Sequence, residues 1–235
     1  DHPGIYANCV EDIDLVASVI LSYDSNDLDM IQNYQYKRTT SLNKPIKFGF
    51  VRGPVWNFGD EDMKHGIEEF VKNVQLDIEE LDLGKDFDDA AKAHEIIMNG
   101  SIANSLMNYY QTDKSNLHPF TVKRIEAGIP VSASDYVSAI EQAKKMEQIL
   151  KQIFKIYDAI ITPAAPGQAP RDLMNTGNAI FNGYWTMMGV PAISLPFLKG
   201  KDDLPIGIQF IANWSEDLKL LEICKYILEK EKLAD

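Results

Sequence analysis

The residues able to do covalent or acid–base chemistry are few and scattered. The four histidines, His2, His65, His94 and His118, include no pair three or four apart, so no helical metal pair exists. A lone imidazole can act as a general base, but His94 sits on the inward side of a predicted helix and reads as a packed core residue. Ser132 and Ser134 invite a serine mechanism, yet a serine just before a long amphipathic run is a helix cap. A GxSxG nucleophile elbow and the phosphate loops GxGxxG and GxxxxGK[ST] are absent. The carboxylate pairs Asp60/Glu61, Asp88/Asp89 and Asp202/Asp203 fall in predicted loops or helix starts and read as solvated charge. Cys9 and Cys224 lack CxxC partners, which argues against zinc; two buried thiols in a reducing cytoplasm is the simpler reading, with a disulfide as the alternative. No residue is expected to be catalytic, and no cofactor or metal is expected.

The elements that would frame a site are clearer. Residues 158–210 hold three short apolar runs punctuated by Pro and Gly: Ile160-Ile161 ending at Thr162-Pro163, residues 192–195 fenced by Pro191 and Pro196, and residues 206–211 in clean alternation. Such runs read as strands, and the loops where they end are natural pocket walls. The polar run 198–204 makes the last two strands adjacent or hairpin-like. Upstream, residues 46–52 alternate as a strand, Asp60 can cap a helix over 61–73, and residues 75–83 form a charged, edge-like strand. Strand, helix, strand is the pattern of a parallel pair in an α/β layer structure.

Helices are predicted over 10–21, 86–111 with Gly100 as an interruption, 121–127 and 132–155. The first carries Val10, Ile13, Val16, Ala17, Ile20 and Leu21 on one face, with Asn8 and Glu11 as a loose capping box. Ser215 caps the last helix, whose inward residues are Leu218, Leu221, Ile223 and Ile227. Residues 22–45 read as a polar connection over the surface, and 229–233 as a solvated helix end.

Length and composition limit the function further. At 235 residues and 45% hydrophobic, one large domain with a sizeable core is expected. A net charge of −12 argues against nucleic-acid binding, which needs a basic face. No apolar run approaches the roughly 20 residues of a membrane helix, and the chain opens at Asp1 without Met.

Several spaced motifs together resemble the amidase signature family of amide hydrolases. They are Asp1-His2-Pro3-Gly4 with Val10-Glu11-Asp12, the strand 46–51, Asp158 through Pro163 with Pro166 and Pro170, Phe181-Asn182 with Trp185-Thr186, Gly189-Val190-Pro191-Ala192 and Pro196, and the run 204–209. They fall in the family's order over nearly the whole chain. Asn8-Cys9 replaces the usual Arg-Ser before the first helix. The aromatic run from Asn175 to Phe197 looks like that of free-standing amidases, which ranks the tRNA-dependent amidotransferase subunits lower.

The resemblance implies a three-layer α/β/α sandwich with a mixed sheet, present here as its C-terminal portion. It also implies amide hydrolysis by a Ser–Ser–Lys triad that lies upstream of the DHPG opening and has no counterpart here. The chain would then supply scaffold and part of a pocket, with Thr162, Pro163, Ala164, Ala165, Trp185 and Met188 as candidate lining residues. For Trp185, an aromatic at helical spacing, core packing is the favoured reading. The expected partners are a small-molecule amide and a second copy of the chain in a homodimer. The alternative is a non-catalytic interaction module derived from an amidase.

Overall fold

The computed structural model describes residues 4–27, 30, 35–36, 42 and 45–231. Asp1-His2-Pro3 of the DHPG opening, most of the connection expected over 22–45 and the last residues of the expected 229–233 helix end lie outside the described residues.

Five strands form one mixed sheet: β1 (Lys47–Phe50), β2 (Asp77–Glu80), β3 (Ala159–Pro163), β4 (Ala192–Lys199) and β5 (Pro205–Ile211), in the order β2-β1-β3-β5-β4. β1 runs parallel to β2 and β3, pairing Phe48 with Ala159, and β5 runs antiparallel to both β3 and β4. The helices are α1 (Val10–Ile20), α2 (Glu61–Asn73), α3 (Ala90–Asp113), α4 (Pro119–Gly128), α5 (Ala133–Ile153), α6 (Gly183–Met187) and α7 (Asp217–Glu231). Every residue of β3 is buried, as are Ile206 and residues 208–211 of β5, so the middle of the sheet is covered on both faces. This is an α/β fold of the layered kind. At the edge, β2 leaves Asp77, Glu79 and Glu80 exposed, a charged margin that discourages further pairing.

Local chemistry explains most boundaries. Asp60 accepts from Met63 N at 2.9 Å and starts α2 at Glu61, as expected. Ser132 accepts from Asp135 N at 3.0 Å at the head of α5, so it is a cap. Gly100 does not interrupt α3; a Cβ there would lie 3.0 Å from the Tyr136 ring, so the glycine admits α5 instead.

Further expectations are corrected. In α1 the buried residues are Val10, Asp14 and Ala17, while Val16 and Ile20 are exposed. Asp14 takes the inward position because its carboxylate accepts from the Tyr36 hydroxyl and lies 3.8 Å from Lys225 Nζ of α7. The N-cap of α1 is Cys9, which makes no side-chain capping bond and is exposed, whereas Cys224 is buried; both are free thiols. Pro196 does not end its strand: β4 is an edge, where a missing N–H goes unmissed, and its register shifts between Leu195 and Leu198. Ser215 sits at φ +66° and is not the residue that immediately precedes α7, which begins at Asp217.

α3 and α4 meet backbone to backbone at Gly128, where a Cβ would fall 2.0 Å from the Asn99 main-chain carbonyl oxygen. Gly128→Ala must therefore separate the two helices, and it is expected to destabilise the protein by about 1–3 kcal/mol, read from the urea midpoint.

Candidate functional site

The order β2-β1-β3 creates a switch point. The chain leaves β1 through α2 to reach β2 on one side, and reaches β3 on the other side only after α3, α4 and α5. Loops part at the carboxyl ends of β1 and β3, where α/β sheets open a crevice. Gly53 in the loop after β1 has φ +76°, and a Cβ there would lie 2.8 Å from Tyr184 Oη. The loop after β3 is tied down on two sides. Asp60 N donates to Pro166 O at 2.8 Å, and Asp202 N donates to Gln168 Oε1 at 3.1 Å. Gly167 packs so tightly on the Asp60 carboxylate that a Cβ would lie 1.8 Å from Oδ2.

Gln209, in the middle of β5, joins that loop to α6. The residue is 4% exposed, and its Nε2 donates to Pro163 O at 3.0 Å and to Phe181 O at 3.1 Å. One amide thus holds the end of β3 and the segment that enters α6. α6 is short and faces two ways. Tyr184 and Trp185 are buried against the sheet with ring centroids 4.8 Å apart. Gly183 lies against His94 of α3; a Cβ there would be 2.5 Å from Nδ1.

The other face of α6 borders a groove of about 840 Å³ between α3 and α5. Ile97, Met98, Ile102, Leu106, Met187 and Met188 supply apolar wall, and His94, Lys144, Glu147 and Thr186 are polar members of its lining. Burial lowers the His94 pKa, Arg124 acts in the same direction and Glu95 opposes them, which leaves the imidazole neutral near pH 7. Among the described residues no side-chain hydroxyl or thiol donates to an imidazole, so no nucleophile–base pair is assembled. The groove can receive an apolar body with a polar end.

The sequence candidates divide between these two places. Met188 lines the groove. Thr162 and Trp185 lie on the buried side, each beside Tyr184, at 0% and 1% exposure. Pro163 is buried as the last residue of β3, and Ala164 and Ala165 are half-buried in the loop that follows. Sequence reasoning missed the α3 wall, Ile97, Met98, Ile102 and Leu106, because their spacing reads as core; in the fold they stay half-buried. It also missed Tyr184 and Gln209. Gln209 carried a signal, a polar residue inside an otherwise apolar strand.

Gln209→Leu keeps the bulk but removes the donor shared by two buried carbonyls. It is expected to lower stability by roughly 2–4 kcal/mol and to loosen α6, read as a lower urea midpoint and faster amide exchange over residues 181–188.

Comparison with known proteins places this geometry. The Amidase family profile matches residues 1–221. The chain is 26% identical over 269 residues to a glutamyl-tRNA(Gln) amidotransferase subunit of Agathobacter rectalis, covering 99% of this chain and 53% of that protein. It is 27% identical over 254 residues to the protein of that name from Clostridium botulinum, covering 92% and 52%. Among solved structures, an s-triazine catabolic enzyme described with a vestigial protein complex superposes with TM-score 0.81 at 17% identity, covering 96% of this chain and 52% of that one. One described simply as an amidase gives 0.74 at 16%, covering 92% and 49%. These structural likenesses show the fold. The chain spans about half the length of the curated relatives it matches. Matched along nearly its whole length by one family profile, and sharing the fold of solved amidases, the chain belongs to the amidase family.

Proposed function

We propose that this chain is the C-terminal part of one amidase signature domain and works in hydrolysis of a carboxamide to a carboxylate and ammonia or an amine. Its own share is scaffold and one wall of the substrate pocket. The observation that carries this reading is the apolar groove bordered by α6, with α6 fixed to the end of β3 by Gln209. The apolar part of a small-molecule amide would lie along Met98, Leu106 and Met188, with its polar end toward His94 and Thr186. Thr162, Pro163, Ala164, Ala165 and Trp185 would then shape the pocket from behind rather than touch the substrate. The attacking group would come from the Ser–Ser–Lys pattern that the family resemblance puts upstream of the DHPG opening. The free thiols Cys9 and Cys224 fit a reducing, cytoplasmic setting.

One observation favours the alternative, a non-catalytic interaction module. α1 turns Leu15, Val16, Val19 and Ile20 outward, an apolar face on the outside of the described fold.

On the pocket-wall reading, the chain alone releases no ammonia above blank from simple aliphatic and aromatic carboxamides. Ser132→Ala and Ser134→Ala leave that result unchanged. Ammonia release abolished by either substitution would overturn the assignment, because it would place a nucleophile in this chain.

A further inference from the structure

The buried side of α6 holds a group of polar atoms that the groove does not use. Thr162 Oγ1, Tyr184 Oη and Trp185 Nε1 are all buried, and no group among the described residues outside this trio satisfies them. They are neighbours. Thr162 is next to last in β3, Tyr184 and Trp185 are consecutive in α6, and both Thr162 and Trp185 lie within hydrogen-bonding reach of the Tyr184 phenol, whose pKa burial drives upward.

The group cannot satisfy itself. Threonine and tyrosine hydroxyls each donate once and also accept, whereas an indole N–H only donates. The two hydroxyls can share only one bond between them, so with the indole N–H the set makes at most two bonds and leaves one of its three donors over. If Trp185 donates to Tyr184 and Tyr184 to Thr162, the Thr162 proton is left over; every other ordering also leaves one. A buried donor without an acceptor is costly enough that native proteins nearly always supply a partner, and an ordered water is the usual one where no main-chain carbonyl is in reach.

We propose that Thr162, Tyr184 and Trp185 form a binding site for one internal water molecule at the carboxyl end of β3. The water accepts from Trp185 Nε1 and from one hydroxyl, and donates to the remaining oxygen. That is about three bonds, the usual number for a buried water. It makes a second polar link between α6 and the sheet, near the bonds made by Gln209. The site does not depend on the amide-hydrolase reading.

A crystal structure of the chain, at a resolution that shows ordered solvent, tests it. The expected result is a well-ordered water within hydrogen-bond distance of Trp185 Nε1 and of at least one of the two oxygens. A dry cluster, with the hydroxyls turned onto main-chain carbonyls, overturns the proposal. Thermal melts give an independent reading. Thr162→Val and Tyr184→Phe are each expected to lower the midpoint, and together to lower it by less than the sum, because both act through one water. Strict additivity, or no change in any of the three variants, contradicts a shared ligand.

Discussion

A single side-chain amide, that of Gln209, governs how the rest of this structure can be arranged. It lies inside the strand that borders both β3 and β4, where an unpaired polar group would be strongly unfavourable. Two carbonyls, Pro163 O and Phe181 O, converge on its Nε2. That convergence decides where β3 stops and where α6 begins. Because α6 is little more than a turn, its orientation is set by what holds its ends, and its two faces then acquire separate jobs. Tyr184 and Trp185 fill the space over the sheet, while Thr186, Met187 and Met188 border the groove with α3 and α5.

Glycines set the tolerances around this clamp. Gly183 lets α6 settle on His94, Gly53 gives room to the Tyr184 hydroxyl, and Gly167 lets the loop after β3 close on the head of α2. Each is a place where a methyl group would collide with a neighbouring side chain. The outer ties are weaker. Arg52 pairs with Glu68 and Glu80 and lies over the rings of Phe50 and Trp56, but its partners are exposed, so it contributes orientation more than stability.

Much of the fold was legible because its signals are local. Asp60 announces α2, Ser132 announces α5, and the alternation of residues 206–211 marks β5. The misreadings came from partners distant in sequence. The inward face of α1 turns on Asp14, whose neighbour Lys225 lies near the other end of the chain, and no periodicity within residues 10–21 reports that. Pro196 looked like a stop because sheet position is invisible locally; on an edge strand it is tolerated. Of the candidate site, Met188 and the α6 segment stood out through their family motif. The α3 wall did not, since half-buried and fully buried apolar residues look alike in one sequence. Tyr184 escaped because an orphaned hydroxyl exists only once the core is assembled.

The central claim is that the groove beside α6 receives the apolar body of an amide. Methionine methyl NMR reads this directly, because the chain's 8 methionines include Met98, Met187 and Met188 in the groove and Met63 and Met146 in the core. Titration with an apolar carboxamide should shift the Met98, Met187 and Met188 methyls together and saturably, leaving Met63 and Met146 in place. A titration in which the three groove methyls stay fixed would contradict the account.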